Sequence, residues 1–378
     1  MKKKVLIFAD WFLPGYKAGG PIKSIKNLIT FLKNEYDFFV VTSDKDFGDK
    51  ESYPNIKLNE WIETTDYQIY YADSNHQSKS NFSKLIHEVS PSFIYINGVF
   101  SPKFSIIPLL VSKKIKSAKT IVAPRGMLGS GALKIKSKKK KIFLILAKAR
   151  GIYKSIFWHA TTSEEAMDVQ KLFGKNASIR VAENLPAKHN FNLENKPDKN
   201  PTKFIFCSRI CEKKNLLFAI NVFSKVNPSL NFVFDIYGPI EDDKYWDKCQ
   251  SIIQSKLLQS KITYKRELTP NEVYSVHEKY HFYILPTFHE NYGHSIVEAM
   301  QSGCVPIISN NTPWVNLKEK KVGWAIPLEE KSSYIKAIEN AINMSNQEYS
   351  ELSICTVNYI NENIYSKEII DRNYKLFS

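Results

Sequence analysis

Two glutamates, Glu290 and Glu298, stand eight positions apart in the segment HFYILPTFHENYGHSIVEAMQSGCVPIIS, residues 281–309. Its pattern predicts a strand, a loop, a helix and a second strand, with Glu290 on the loop and Glu298 a little over one turn into the helix. The amides at the helix start, around Gly293 and His294, favour an anion. A carboxylate on each side of an anion-binding helix start suits a ligand with a diphosphate in its middle and a hydroxyl-bearing sugar at each end.

The elements that must position these residues are strands alternating with helices. In the first half, apolar runs such as KVLIFAD and DFFVVTS predict buried strands, and the loop WFLPGYKAGGP leads into the helical segment IKSIKNLITFLKN. In the second half the alternation starts again with KFIFCSR. Because such alternation is typical of parallel sheets covered on both faces, the sequence predicts two doubly wound, Rossmann-like α/β domains facing a central cleft.

The predicted domain boundaries follow changes in composition. Residues 1–186 form the first domain. The segment AKHNFNLENKPDKNPTK, residues 187–203, contains two prolines and no periodicity, so it predicts a linker. Residues 204–350 form the second domain, and residues 351–378 are predicted to be helices that pack back toward the first domain.

Three motifs resemble one known family. The E-x7-E spacing within the run GHSIVEAMQSGCVPI is similar to the C-terminal signature of the family 4 glycosyltransferases, which have the GT-B fold. The motif SRICEKKNL resembles the family's Arg followed five residues later by Lys, here Arg209 and Lys214. The segment VAPRGMLGSGALKIKSKKKKIF resembles the PRGML…K segment of a bacterial branch that builds surface polysaccharides. The E-x7-E spacing alone is weak, but the three motifs together are specific.

The resemblance implies a role for each matching position. Arg209 and Lys214 would grip the diphosphate of a nucleotide-sugar donor, and Glu290 would face the donor sugar, so these three are the candidate catalytic residues. Glu298 would bind the ribose hydroxyls. The candidate donor-binding residues are Glu298, Asn291, Tyr292, Gly293, His294, Gly19, Gly20 and Arg125.

The nucleotide base is the least determined part of the donor. We expect base contacts from the loop around Tyr264–Glu267, with Tyr264, Lys265 and Arg266 as candidates. These residue types do not discriminate uracil from guanine, so the donor is expected to be linked to UDP or GDP.

The chemistry agrees with a cluster of cationic groups. Breaking the sugar–phosphate bond leaves a nucleoside diphosphate with growing negative charge, which preorganised positive charge stabilises. Arg offers a rigid fork, Lys a point charge and the helix start its amides, so we expect neither a metal ion nor a cofactor. The resemblance further implies retention of anomeric configuration, with the departing phosphate helping to deprotonate the acceptor. The Asp44-Lys45-Asp46 spacing matches metal-dependent glycosyltransferases of the other fold, but we interpret this lone match as a solvated loop.

The sequence departs from the family at its N-terminal contacts. Many relatives have a histidine near the donor sugar, whereas here the strand TIVAP leads into Arg125, and YINGVFS has Asn97 where relatives often have histidine. The sequence leaves open whether Arg125 or Asn97 replaces that histidine, or whether Arg125 only neutralises a nearby acid. Ser208 and Asn215 replace two frequent glycines, which leaves the diphosphate contacts intact.

The net charge of +15 is unevenly spread. Residues 1–190 hold 31 Lys+Arg against 16 Asp+Glu, while residues 191–378 hold 22 of each. Lysines adjoin apolar residues in the stretches 113–119 and 133–150, which suits the surface of an anionic bilayer and equally suits a solvated helix face. No helix-turn-helix or RNA-binding aromatic motif supports nucleic-acid binding.

Several features indicate a cytoplasmic protein. No apolar stretch reaches the roughly 20 residues needed to cross a bilayer, and the apolar run before Asp10 is too short for a signal-peptide core. The five cysteines contain no Cys-x-x-Cys pair and are expected to be reduced. A basic first domain would place the protein peripherally on the inner face of the membrane.

The sequence therefore predicts a retaining, metal-independent glycosyltransferase of bacterial surface-polysaccharide synthesis, such as O-antigen, capsule or exopolysaccharide. Its expected partners are a nucleotide-sugar donor, a glycan acceptor attached to a lipid diphosphate and an anionic membrane surface, but not nucleic acid. A nucleotide-sugar 2-epimerase of the same fold and a non-enzymatic polyanion-binding protein remain as alternatives. The donor sugar, acceptor, linkage and oligomeric state stay open.

Overall fold

A computed structural model describes residues 2–129, 133 and 137–378. Residues 130–132 and 134–136, which fall in the PRGML…K motif and in the basic stretch 133–150, lie outside the described residues.

The chain divides into two compact units. Unit 1 comprises the described chain through Leu185 together with Lys367–Ser378, and unit 2 is Pro186–Ser366.

Unit 1 is built on an eight-stranded sheet in the order β3-β4-β2-β1-β5-β6-β7-β8. The β3–β4 pair is antiparallel and the other pairings are parallel. The strands are β1 Lys3–Ala9, β2 Tyr36–Ser43, β3 Trp61–Glu63, β4 Gln68–Ala72, β5 Phe93–Asn97, β6 Lys119–Ala123, β7 Phe157–Ala160 and β8 Ile179–Val181.

Strand β1 shows why the sheet of unit 1 is covered on both faces. Successive side chains of a strand point to opposite faces. Leu6 and Phe8 belong to one hydrophobic cluster, while Val5, Ile7 and Ala9 belong to another. The sheet therefore lies between two apolar cores, as the continuous apolar run predicted.

Helices of unit 1 connect these strands. Side-chain caps fix two of their starts: the Ser78 side chain accepts a hydrogen bond from the Asn81 amide, and the Thr162 side chain from the Glu165 amide. The helices are Gly20–Leu32, Lys79–Val89, Ile107–Ser112, Ser137–Ala149, Ser163–Phe173 and Lys367–Tyr374, with a π-helical turn at Pro102–Ile106 and a 3₁₀ turn at Lys375–Phe377.

Unit 2 is built on a six-stranded parallel sheet in the order β11-β10-β9-β12-β13-β14. Numbered from the first strand of the unit, this is the order 3-2-1-4-5-6 of the dinucleotide-binding fold. The strands are β9 Thr202–Cys207, β10 Phe232–Tyr237, β11 Ile262–Arg266, β12 Phe282–Leu285, β13 Val305–Ser309 and β14 Trp324–Ile326.

Helices likewise connect the strands of unit 2. A reciprocal capping box between Ser345 and Glu348 starts the longest of them. The α-helices are Leu216–Phe223, Asp243–Ser255, Val273–His277, His294–Gln301, Lys331–Asn343 and Asn346–Ile364, with 3₁₀ turns at Leu193–Asn195 and Glu212–Lys214.

The segment predicted as a linker, 187–203, is instead part of unit 2. Lys196 Nζ donates to the carbonyl oxygens of His277 and Tyr280 at 3.1 and 2.5 Å, and His281 Nε2 lies 2.8 Å from the carbonyl oxygen of Pro197. Its polar residues therefore satisfy backbone groups of unit 2, which composition alone could not reveal.

The C-terminal prediction also needs correction. Helix Asn346–Ile364 belongs to unit 2, and only Lys367–Ser378 of the predicted 351–378 region packs in unit 1. There Phe377 is fully buried, and Arg180 donates to the carbonyl oxygens of Leu376 and Ser378 at 2.6 and 3.0 Å.

Candidate functional site

The predicted site residues of unit 2 meet where its strand order reverses. β9 and β12 are neighbours in the sheet although two strands separate them in the chain. Arg209 and Lys214 follow the carboxyl end of β9, and Glu290 follows that of β12. Open α/β sheets bind ligands outside the strand ends at such a reversal.

Hydrogen bonds tie the loop after β9 to the loop after β12. The Phe288 amide donates to the Lys213 carbonyl oxygen at 3.0 Å, and Thr287 Oγ1 lies 3.1 Å from the same oxygen. The Tyr283 hydroxyl lies 3.1 Å from the Cys207 carbonyl oxygen and 2.8 Å from Ser295 Oγ. These bonds hold the two loops and the start of helix His294–Gln301 as one arrangement.

Lys214 and Glu290 form an ion pair. Lys214 Nζ lies 2.5 Å from Glu290 Oε1, and their side chains are only 11% and 10% exposed. Burial raises the pKa of Glu290, but Lys214, Lys213 and hydrogen bonds from Lys214 and Thr287 outweigh it, so the pKa is lowered. Glu290 is therefore an ionised carboxylate at neutral pH, and Lys214 is its counter-ion.

Arg209 has a carboxylate partner that the sequence did not identify. Arg209 Nη1 lies 2.6 Å from Glu241 Oε2, and each side chain is 32% exposed. The Ile210 amide donates to the Pro239 carbonyl oxygen at 2.9 Å and the Glu241 amide to the Ile210 carbonyl oxygen at 3.1 Å, which brings the loop after β10 alongside. The only signal in the sequence was that Glu241 follows a predicted strand, and the structure adds that this strand, β10, pairs with β9.

The helix start predicted to bind an anion is built on Gly293. This residue has φ +80°, and a Cβ there would lie 2.8 Å from Ile296 Cδ1, so glycine is required. The helix His294–Gln301 begins without a side-chain cap. Glu298 lies a little over one turn into this helix, as its spacing predicted, and the structure adds that it is buried. Burial, followed by the charge of Glu298, raises the pKa of Tyr274.

The sequence predicts that the backbone amides of Asn291 to His294 assist Glu290 at the donor sugar, and the Tyr292 side chain has a separate, structural role. Its side chain is buried in the hydrophobic core of unit 2, and Trp314 Nε1 donates to its carbonyl oxygen at 2.8 Å. The ring of Tyr292 lies 4.8 Å from that of His294. The Tyr292 ring therefore has a structural role just before the start of helix His294–Gln301.

The predicted base-contacting residues lie on a strand rather than a loop. Tyr264, Lys265 and Arg266 belong to β11, one of the two edge strands of the six-stranded sheet. Arg266 Nη2 lies 2.5 Å from Glu272 Oε1, and Lys265 Nζ lies 3.5 Å from Asp235 Oδ1. Their contact with a base stays a prediction.

In unit 1, Gly19 and Gly20 form the start of helix Gly20–Leu32. Gly19 has φ +68°, and open space surrounds the position of an added Cβ. The loop before them is held by Asp46, whose Oδ2 accepts hydrogen bonds from the amides of Tyr16 and Lys17 at 2.8 and 3.1 Å.

The interpretation of Asp44-Lys45-Asp46 as a solvated loop is wrong. Asp44 and Asp46 are 3% and 5% exposed, and Ser52 Oγ donates to Asp44 Oδ2 at 2.5 Å. These carboxylates bond to the local backbone and to a hydroxyl. Within the described part of the chain, no group of three or more His, Cys, Asp or Glu side chains is arranged to hold a metal ion.

Arg125 lies just beyond the carboxyl end of β6 and bonds to neutral groups. Its Nε donates to Asn97 Oδ1 at 2.7 Å, its Nη1 to Asn184 Oδ1 at 2.7 Å and its Nη2 to the Tyr95 hydroxyl at 2.8 Å. The two residues considered as replacements for the family's histidine are thus joined to each other. None of these three partners is an acid.

Comparison with solved structures identifies the fold of the chain. A sucrose-phosphate synthase from Thermosynechococcus elongatus matches with a TM-score of 0.74 and 12% identity, over 100% of this chain and 98% of that chain. A mutant of TarM from S. aureus, in complex with Fondaparinux, alpha-GlcNAc-glycerol and UDP, matches with a TM-score of 0.73 and 15% identity over 100% of both chains. HepE from Anabaena, in complex with UDP-glucose, matches with a TM-score of 0.70 and 14% identity over 99% of both chains.

These similarities and the two Rossmann-like sheets define a protein of the GT-B fold, which confirms the predicted fold class. Residues 188–353, which lie within unit 2, match the family described as Glycosyl transferases group 1. A search of the curated proteins finds no match to the chain.

Proposed function

We propose that this protein is a retaining glycosyltransferase that moves a sugar from a nucleotide-sugar donor to a glycan acceptor. The observation that carries the proposal is the placement of Arg209, Lys214 and Glu290 at the strand reversal of a glycosyltransferase group 1 domain. The complexes of TarM with UDP and of HepE with UDP-glucose support a uridine nucleotide as the first donor to test.

In the proposed complex, the donor pyrophosphate would replace the carboxylates of Glu241 and Glu290 as the partner of Arg209 and Lys214. Arg209 and Lys214 are held by Glu241 and Glu290 at 2.6 and 2.5 Å, so their charges are positioned before a ligand arrives. A phosphate accepts a bidentate contact from Arg and a point-charge contact from Lys. The start of helix His294–Gln301 adds backbone amides, and Glu298 binds the ribose hydroxyls.

The transfer itself would use the leaving group as a base. The bond between the anomeric carbon and the phosphate oxygen breaks, and the acceptor oxygen bonds to the same face of that carbon. The acceptor proton moves to the departing phosphate. Arg209 and Lys214 stabilise the charge that grows on this phosphate. Glu290 faces the donor sugar, and we propose that no metal ion takes part.

The acceptor would be a glycan on a lipid diphosphate in bacterial surface-polysaccharide synthesis, and helix Ser137–Ala149 supports this. Ile142, Ile145 and Leu146 are 60%, 66% and 49% exposed, while Leu144 is buried. Lys138 and Lys141 are exposed on the same helix. An exposed apolar surface flanked by lysines fits the boundary of an anionic bilayer. No described helix is long and apolar enough to cross a membrane.

Thermal unfolding with a panel of nucleotide sugars and nucleoside diphosphates tests the donor site. A ligand at a hundred times its Kd stabilises the native state by about 2.7 kcal/mol. We expect a uridine or guanosine nucleotide to raise the melting temperature, and Arg209→Ala and Glu298→Ala to reduce that rise. Arg372→Ala is the matched control, because Arg372 also forms a part-exposed ion pair, at 2.5 Å from Glu183, in the other unit.

Product analysis separates the alternatives. A glycosyltransferase releases nucleoside diphosphate and an elongated acceptor, and we expect turnover to persist in a chelator. Acceptor-independent release of an epimerised sugar would favour the 2-epimerase. Binding of nucleic acid that weakens steeply with salt, without affinity for any nucleoside diphosphate, would favour the polyanion-binding protein.

A further inference from the structure

Arg125 is held in one orientation at the edge of unit 1 where the carboxyl ends of the parallel strands β1, β5 and β6 lie. It lies two residues beyond β6, which pairs with β5, and β5 pairs with β1 where the strand order of unit 1 reverses. Its backbone is in the left-handed region with φ +55°, which is uncommon for a residue other than glycine and recurs at functional sites. Because Asn97, Asn184 and Tyr95 each accept one of its N–H groups, the guanidinium is fixed.

The hydrogen-bond directions show that these acceptors are neutral. Tyr95 accepts from Arg125, and its hydroxyl lies 2.7 Å from His159 Nδ1. His159 Nε2 lies 2.8 Å from the Ala182 carbonyl oxygen, so Nε2 carries the ring proton and Nδ1 accepts the proton of Tyr95. Burial raises the pKa of Tyr95 to about 12, so its hydroxyl does not supply a negative charge.

No carboxylate of the described residues lies within ion-pair distance of Arg125. The Glu165 carboxylate bonds instead to the residue after Arg125, accepting from the Gly126 amide at 2.5 Å. It also accepts from the Thr161 amide and hydroxyl at 2.8 Å each. Arg125 thus differs from Arg209 and Lys214, each of which has a carboxylate partner.

The guanidinium retains capacity for a ligand. It has five N–H groups, of which three are donated to the named acceptors, leaving one on each terminal nitrogen. A part-buried cation with neutral neighbours favours an anion, and two N–H groups on separate nitrogens match two oxygens of a phosphate.

We propose that unit 1 carries its own phosphate-binding site at Arg125 and that this site takes a phosphate of the acceptor. The inference rests on the proposed function, in which the donor pyrophosphate is bound by Arg209, Lys214 and a helix start of unit 2. It replaces the sequence-based assignment of Arg125 to the donor. The acceptor class it selects is a glycan joined to a lipid diphosphate, rather than a free neutral glycan.

Titration calorimetry at saturating UDP tests the site, with geranyl diphosphate as the soluble probe and geraniol as the probe without phosphate. We expect the wild type to bind geranyl diphosphate and not geraniol. Arg125→Gln removes the cation, and Asn97→Asp places a carboxylate against Nε while the guanidinium stays. Both should weaken geranyl diphosphate binding at least tenfold and leave the Kd for UDP within twofold.

Lys57→Gln is the charge-matched control, because it removes one positive charge at a side chain that is 77% exposed, and it should change neither affinity. The proposal is overturned if the wild type binds UDP but not geranyl diphosphate, or if both site variants bind it like the wild type. Equal loss of UDP affinity in the site variants would return Arg125 to the donor. Failure of the wild type to bind any nucleotide would instead reject the proposed function. Because Asn97→Asp retains Arg125, it decides the outcome if Arg125→Gln does not fold.

Discussion

Lys214 Nζ lies 2.5 Å from Glu290 Oε1, although the two residues are 76 positions apart in the chain. Both side chains are about nine-tenths buried. The strand order of unit 2 makes this contact possible, because β9 and β12 are adjacent and each residue lies on the loop after one of them. Lys214 thus has its own counter-ion, and a donor phosphate bound at Lys214, as we propose, would have to compete with Glu290.

Removing either member of this pair should destabilise unit 2 more than removing both. Breaking a buried pair leaves one uncompensated charge and costs about 3–5 kcal/mol, whereas replacing both partners by apolar groups is often close to neutral. We expect Lys214→Met and Glu290→Leu each to lower the free energy of unfolding by that amount, and the double variant to lose less than either. Urea unfolding at pH 7 measures the cycle, and additive losses would show that the two residues are not coupled.

The stability lost in Lys214→Met should depend on pH. In Lys214→Met the main opposing charge is gone, so burial should raise the pKa of Glu290 above its ordinary value. An acid with a raised pKa in the native state is destabilising when ionised. The difference in unfolding free energy between the wild type and Lys214→Met should therefore grow as the pH rises above 4.5. A difference that stays constant from pH 4.5 to 8 would contradict this account of Glu290.

Sequence patterns predicted the buried strands and the loop and helix that carry the candidate site residues, because both follow from local signals. Apolar runs such as KVLIFAD defined buried strands, and Glu290, Gly293 and Glu298 fell on the predicted loop and helix. The partners of the cations could not be predicted in this way. Glu241 reaches Arg209 only because β10 lies beside β9, and spacing along the chain does not record that adjacency.

Polar segments were the other source of error. Asp46 and Lys196 lie in stretches whose composition is typical of solvated loops, yet Asp46 bonds to the amides of Tyr16 and Lys17, and Lys196 to carbonyl oxygens. Burial of a polar group depends on whether the fold supplies a hydrogen-bond partner. That partner is determined by tertiary structure, so composition predicted solvent contact where the structure has buried bonds.

The exposed apolar residues of helix Ser137–Ala149 should contribute to membrane binding. We expect Ile142→Ser with Ile145→Ser to weaken binding to vesicles containing phosphatidylglycerol by about 2 kcal/mol, roughly thirtyfold, because each isoleucine loses about half of its burial free energy. Vesicle flotation at low and high salt measures the partition. Leu257→Ser is the control, because Leu257 is 81% exposed in unit 2 and should have no effect.

Two results would contradict this assignment. One is equal binding of the wild type and the double serine variant to anionic vesicles. The other is equal binding of the wild type to anionic and zwitterionic vesicles, because the lysines of this helix should respond to anionic lipid and their contribution should fall as salt screens it.

Acid should destabilise both units through one buried histidine in each. Burial, followed by the charge of Arg125, lowers the pKa of His159 in unit 1 to about 3, and burial lowers that of His281 in unit 2 to about 4. A histidine with a lowered native pKa stabilises the fold fully above its unfolded value of 6.5 and loses that contribution as the pH falls, because the unfolded chain takes up the proton first. At pH 5 each should cost about 2 kcal/mol.

Replacing His281 by Gln tests this origin of the acid sensitivity. His281 Nδ1 accepts from the Lys203 amide at 2.9 Å and Nε2 donates to the Pro197 carbonyl oxygen, so His281→Gln keeps an acceptor and a donor without a titrating ring. We expect His281→Gln to be less stable than the wild type at pH 7.5 and to lose about 2 kcal/mol less than the wild type between pH 7.5 and pH 5. Urea unfolding at the two pH values measures both quantities. An unchanged loss in His281→Gln would place the acid sensitivity elsewhere, because no other group at this position titrates in that range.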